Sequence, residues 1–341
     1  MPDQKIRRSR IGKKPCAALF TAAGLLFLSG CGQQKTYELN HAYDVYGTSI
    51  HYEQPDVPNQ QQNKSAGSRI KYFAQDLCVG RDIETGTENL DLTAAEAAGV
   101  FHLSDKTISC SKNIYKKLYP ASTTKMLTAY VALKYGKLTD QVTVSAKAAS
   151  QSADSSISGL HAGDQLTLED LLYGLLLKSG NDAADAIAEH ISGDTKSFVA
   201  LMNREAKALG ATRSHFRNPH GLQDEKHYTC VYDLYLILHA ALGYEPFEKI
   251  IHTQKYNPVY KDANGIEITQ EWETSNQFLN GLSQPPPGIN IIGGKTGTTN
   301  AAGYCLALYS ENTRGEPIIS IVMKAETGED LYSLMADLLM N

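Results

Sequence analysis

Positive charge in excess is the first thing this 341-residue sequence lacks. Lys and Arg number 32 against 37 Asp and Glu, a formal net charge of -5. Nucleic-acid phosphates need a basic face, so this balance gives no electrostatic reason for nucleic-acid binding. A spanning segment is lacking near the N-terminus. The apolar run over residues 16–28 is too short to cross a bilayer comfortably. No internal repeat occurs. Cysteines number only 6, and Cys78, Cys110, Cys230 and Cys305 are too scattered to form a staple framework. They read as buried free thiols, although three pairings stay open. What remains is an ordinary globular balance, 42% hydrophobic and 20% charged, able to support a core.

The N-terminus stands apart. Lys5, Arg7, Arg8, Arg10, Lys13 and Lys14 precede the apolar run, which ends in Leu28-Ser29-Gly30-Cys31. A basic segment, a short apolar run and small residues are the pattern of a secretory signal. The last four residues resemble the bacterial lipobox, in which cleavage leaves the cysteine as a lipidated N-terminus. Residues 1–30 are therefore expected to be a signal peptide, with Cys31 the lipidation site and residues 31–68, polar after Cys31, a tether. This places the folded part, residues 69–341, outside the cytoplasm and attached to a membrane through lipid.

Residues 98–103 and 108–111, joined by a Ser-Asp-Lys-Thr turn, read as a β-hairpin. Pro120 marks a boundary, and a helix is expected from Ser122 to Tyr135, stopped by Gly136. Thr167 and Asp170 form a capping-box pattern ahead of a leucine-rich helix that is apolar nearly all round. Further helices are expected over residues 182–191 and 197–209, ended by Gly193 and Gly210. Strand patterns return around residues 290–297, 303–309 and 317–323, before a closing helix at 331–339. Strands at both ends thus bracket a helical insert. The expected class is α+β, an antiparallel sheet flanked by helices plus an all-helical lobe, with a cleft between them.

Three short motifs carry chemistry. In Ser122-Thr123-Thr124-Lys125, serine and lysine share a helix face. A serine hydroxyl needs a base to become a nucleophile, and lysine is that base only when desolvation or a nearby positive charge keeps it neutral. A helix N-terminus at Ser122 would favour developing negative charge. In Ser179-Gly180-Asn181, a hydroxyl can relay a proton and an amide can hold a peptide group; the bland alternative is a helix cap at Asn181. In Lys295-Thr296-Gly297-Thr298, Lys295 and Thr296 suit a carboxylate. Gly297 permits close approach to a strand, and the Thr298 N–H could join that of Ser122 as an oxyanion hole. Each motif alone is common by chance.

The ordered set is shared by β-lactamases and penicillin-binding proteins. Residues 118–126, 169–172, 179–184, 218–222 and 294–297 together resemble the serine D-alanyl-D-alanine carboxypeptidases among the low-molecular-mass penicillin-binding proteins. The resemblance runs from about residue 98 to the end and implies a β-lactamase/transpeptidase-like fold. It implies that Ser122 attacks the penultimate D-alanine of a peptidoglycan stem peptide, with Lys125 as base and Ser179 assisting the leaving group. Asn181, Lys295, Thr296, Gly297 and Thr298 would bind substrate, and β-lactams would acylate Ser122. No cofactor and no metal are implied. Many members carry a further β-rich C-terminal domain, for which no counterpart is expected here.

Endopeptidases that cut cross-links share the three motifs. So do class A β-lactamases, but the Glu-x-x-Leu-Asn pattern of their deacylating carboxylate is missing after the second motif. A zinc enzyme built on His215, His220, His227 and Cys230 matches no familiar ligand spacing. A non-catalytic wall-binding lipoprotein fits poorly with an intact Ser122 and Lys125.

Overall fold

The computed structural model describes residues 74–88, 90–152 and 155–341. The expected signal peptide, lipidation site and tether lie outside these residues. Strands β1 (Ala95–His102) and β2 (Thr107–Lys112) form the expected hairpin. A 3-10 turn (Ala121–Thr124) then leads into α1 (Lys125–Tyr135). The lobe continues through β3 (Gln141–Thr143), α2 (Ala146–Ala149), β4 (Gln165–Thr167), α3 (Leu168–Leu176), α4 (Asn181–Ser192), α5 (Thr195–Ala208), α6 (Val231–Leu242) and α7 (Glu245–His252). Short strands β5 (Lys255–Tyr256), β6 (Val259–Lys261), β7 (Glu267–Thr269) and β8 (Trp272–Glu273) precede α8 (Gln277–Asn280). The chain closes with β9 (Asn290–Thr299), β10 (Gly303–Glu311), β11 (Pro317–Ala325) and α9 (Gly328–Met340).

The main sheet is antiparallel, in the order β2-β1-β11-β10-β9. Its inner strands are buried on both faces, so they read as continuous apolar runs instead of alternating ones. In β11, Ile319, Ile321 and Met323 join the core shared with α6 and the helical lobe. Ile318 and Val322 join a second core under α9. That period of two places helices on both faces of one sheet. Phe101 on β1 stacks on Tyr235 of α6, ring centroids 4.2 Å apart, and the Tyr235 hydroxyl accepts the Cys78 N–H.

Helix α1 is the axis of the helical lobe. Lys125 to Ala132 are all buried, because α3, α4, α5 and α6 pack around it. The capping box forms: Thr167 Oγ1 accepts the Asp170 N–H, and Asp170 accepts that of Thr167. Gly193 ends α4 at φ 80°, where glycine carries no Cβ penalty. Cys78, Cys110, Cys230 and Cys305 are buried free thiols. Two small sheets, β3-β4-β6-β7 and β5-β8, also occur; strands of two or three residues leave no periodic signal in sequence. No helix among the described residues is long and apolar enough to cross a membrane.

Candidate active site

The site is organised around the turn that carries Ser122. The expected helix from Ser122 begins as a 3-10 turn and becomes α-helical only at Lys125. Ala121 sits at φ 48°, a left-handed conformation that costs a non-glycine residue about 1 kcal/mol. The neighbours hold it there. Gly221, at φ 94°, lies so close that a Cβ would be 1.8 Å from Ala121 O. From another side, a Cβ on Gly297 would meet Ser122 N and Thr123 N, each at 2.9 Å. Two glycines therefore let backbone pack directly against the serine turn. The Thr123 N–H is taken by the Pro120 carbonyl at 3.3 Å, whereas the Ser122 N–H has no backbone partner among the described residues, which suits it to developing negative charge.

Lys125 is fully buried. Its Nζ bonds Ser122 Oγ at 3.0 Å, Asn181 Oδ1 at 2.8 Å and the His220 carbonyl at 2.9 Å. Burial, and next the charge of Lys295, hold its pKa well below the usual lysine value; Asp182 and Asp185 oppose this more weakly. A neutral amine has two N–H groups and one lone pair. Asn181 Oδ1 and His220 O are pure acceptors and take the two N–H groups, so the lone pair is left facing the Ser122 hydroxyl. That is the arrangement a general base requires.

Ser179 and Asn181 face the same centre from the helical lobe. Ser179 adopts φ 59°, a second strained backbone at the site. Helix α4 starts at Asn181 with Gly180 as N-cap and no side-chain cap bond. The Asn181 side chain is thus not used in capping and points instead to Lys125. Asp182 performs the structural task beside it. Its carboxylate accepts N–H bonds from Ser158, Gly159 and Leu160 at 2.8–3.0 Å, fixing the loop that walls the cleft. Trp272 supports that loop from behind, donating Nε1–H to the Ser158 carbonyl.

The opposite wall is β9, an edge strand of the main sheet. Lys295 is buried and donates to Ser179 Oγ at 3.0 Å and to the Thr296 carbonyl at 2.9 Å. Burial lowers its pKa to about 7. Thr296 Oγ1 shares a 2.6 Å hydrogen bond with Ser275 Oγ, and Thr298 is exposed. Ser122, Lys178, Ser179, Thr296, Gly297 and Thr298 together line a cavity of about 300 Å³. A larger one, about 630 Å³ around Glu96, Lys112 and Lys324, shares none of these residues. It contains no nucleophile–base pair, so size does not mark the site.

Residues 84–327 match the D-alanyl-D-alanine carboxypeptidase family. The chain belongs to that family. It is 34% identical over 255 residues to a D-alanyl-D-alanine carboxypeptidase, DacA, of Haemophilus influenzae, covering 72% of this chain and 61% of the relative. With DacF of Bacillus subtilis the identity is 33% over 243 residues, 69% of this chain and 59% of the relative. The chain thus spans about 60% of the length of these relatives. Among solved structures, the Streptomyces K15 DD-transpeptidase superposes with a TM-score of 0.67 at 27% identity, over 74% of this chain and 98% of that one. The family resemblance and the transpeptidase-like α+β fold read from the sequence are borne out.

For this member of the carboxypeptidase family, the structure brings together every site residue that sequence reasoning named in the described part. It also adds some. His220 contributes its backbone carbonyl and Gly221 its lack of a side chain; both lie in the Asn218–Leu222 segment, which had matched the family without a role. Ser275 and Gln277 at the cavity edge had no sequence signal at all. The rival histidine cluster is accounted for otherwise. His227 Nδ1 accepts the Arg217 N–H, so its Nε2–H donates to Thr124 Oγ1 at 2.9 Å. Burial lowers His227 to about 4 and His220 to about 3.

Proposed function

We propose that this chain is a serine D-alanyl-D-alanine carboxypeptidase that trims peptidoglycan stem peptides. The observation that carries this reading is the buried Lys125 amine, 3.0 Å from Ser122 Oγ with its pKa well lowered. Ser122 Oγ attacks the carbonyl carbon of the penultimate D-alanine while its proton passes to Lys125 Nζ. The oxyanion forms against the Ser122 N–H and the β9 edge at Thr298. Collapse of the tetrahedral species breaks the peptide bond, and the departing amine takes a proton through Ser179, whose hydroxyl is held by Lys295. Water then hydrolyses the ester on Ser122 and restores both groups. The Asn181 Nδ2 donates to no group among the described residues and is available for a substrate amide carbonyl. Thr296, Gly297 and Thr298 offer the strand edge along which an extended peptide lies.

β-Lactams would acylate the same hydroxyl. The reading includes the address: cleavage before Cys31, lipid on that thiol and a polar tether would hold the domain outside the cytoplasm, anchored to the cell membrane and within reach of the wall. The test is incubation with a synthetic pentapeptide stem, reading released D-alanine, beside labelling by a fluorescent penicillin. Ser122→Ala is expected to abolish both, since one hydroxyl serves both acylations; labelling that persists would mean another nucleophile. The likeness to a DD-transpeptidase supports a second fate of the acyl-enzyme, transfer to an amine. Adding an amine acceptor to the same assay and looking for an exchanged product separates the two.

A further inference from the structure

Lys178 is the one charged side chain among the described residues lining the Ser122 cavity. It directly precedes Ser179, and Lys295, the cation of the facing β9 wall, is buried and tied to Ser179 Oγ and the Thr296 carbonyl. Lys178 is exposed and makes no ion pair among the described residues. The positive φ of Ser179 turns the backbone at this point, between the end of α3 and the start of α4. The remaining lining is mostly Ser, Thr, Gln and Tyr, neutral donors, with no acidic side chain among the described residues. The chain as a whole is acidic, with net charge -5, so general electrostatics would not draw an anion here. The cavity is a local exception.

We propose that Lys178 is a specificity-determining residue that recognises a carboxylate of the peptide bound at Ser122. This rests on the reading of the reaction given above. A lysine ammonium is a compact charge on a flexible stem, so at the cavity mouth it selects for charge without imposing geometry. The carboxylate has two possible sources. One is the free C-terminus of the terminal D-alanine, which would make Lys178 select chain ends over cross-links. The other is an acidic side chain on the residue before the D-alanine pair. A purely structural role also has a physical basis: α3 has no basic residue in its last turn, and a cation there favours the helix dipole. The test must therefore read charge on the substrate.

Three peptides serve, used with the full chain and its Lys178→Gln and Lys178→Arg variants. The first is diacetyl-lysyl-D-alanyl-D-alanine, the second its C-terminal carboxamide, the third the free acid with glutamate in place of the acetylated lysine. If the terminal carboxylate is the ligand, Lys178→Gln raises KM about three- to tenfold for both free acids, the scale of an ion pair at a partly solvated site. The carboxamide is then unaffected, kcat holds within twofold, and Lys178→Arg restores the loss. If the side chain is the ligand, only the glutamyl peptide loses affinity. Equal changes on all three peptides, or none, overturn the proposal, and a fall in thermal stability with unchanged KM assigns Lys178 to the end of α3. If the unaltered protein cleaves none of the peptides, the reaction reading fails instead. The Lys178 proposal is then still decided by acylation with two penicillins, one carrying only the ring carboxylate and one with a second carboxylate on its acyl side chain: a loss of three- to tenfold in Lys178→Gln on either supports it, and unchanged rates on both overturn it.

Discussion

Replacing Gly297 by alanine isolates the contact on which the proposed nucleophile, Ser122, depends. The added Cβ would lie 2.9 Å from both Ser122 N and Thr123 N and 3.0 Å from Pro120 O. These are backbone atoms, which cannot rotate away. Restoring an ordinary separation of about 3.5 Å needs a shift of about 0.6 Å between β9 and the turn. Gly297 has no positive φ, so alanine meets no conformational penalty there, and on backbone entropy alone it would stabilise by about 0.5–1 kcal/mol. The overpacking cost, about 1–3 kcal/mol, therefore stands against a small gain, and a fall of only a few degrees in Tm is expected. Catalysis is more sensitive, because a 1 Å displacement of reacting groups costs about 100-fold. The rate of acylation by a fluorescent penicillin should fall about 10- to 100-fold in a folded protein. Gly315→Ala is the control: its φ is 72° with nothing within 4 Å, so it should cost stability and leave acylation alone. Acylation of Gly297→Ala within twofold of the unaltered protein would refute the view that this close approach sets the serine turn.

Lys125→Arg should lower acylation about 10²- to 10⁴-fold, the worth of a general base, because guanidinium keeps its proton at working pH; near-normal rates would remove Lys125 from that role. Lys295→Met should move the ascending limb of the pH–acylation profile upward. The charge of Lys295 helps to depress the Lys125 pKa, so its loss lets that pKa rise and the base stays protonated to higher pH; a limb that stays put or moves down contradicts this. Cys31→Ser should appear in cell fractions as released protein or uncleaved precursor, and mature protein retained on the membrane would place the anchor elsewhere.

The parts of the fold legible in sequence are those with a local cause. The capping box at Thr167 and Asp170, the left-handed stop at Gly193 and the β1–β2 hairpin each depend on a few adjacent residues, and each forms where expected. The start of α1 was less legible. Pro120 and the Ser-Thr-Thr-Lys run mark a boundary, but the 3-10 geometry there is imposed by Gly221 and Gly297, distant in sequence and pressed against the turn. Helix α6 passed without notice because it is apolar around most of its surface, being packed between the sheet and α1. It has no contrasting face to reveal a period.

The site divides along the same line. Motif spacing identifies which groups can meet, since a serine and a lysine three apart share a helix face whatever surrounds them. Protonation state is a different matter. The depressed pKa of Lys125 comes first from burial and then from Lys295, and burial here means the packing of α3, α4 and α5 around α1. Asn181 makes the point in the other direction. From sequence it could have been a helix cap, and the structure decides otherwise because Gly180 occupies the cap without a side-chain bond, leaving Asn181 Oδ1 to accept from Lys125 at 2.8 Å. That bond links two motifs through a single proton donor. Moving Asn181 would free one N–H of the amine, the lone pair would no longer be confined to Ser122, and base and nucleophile would lose their alignment. The proposed reactive unit is therefore a tertiary one: serine, lysine, asparagine and the His220 carbonyl, brought to one point by elements that no single motif contains.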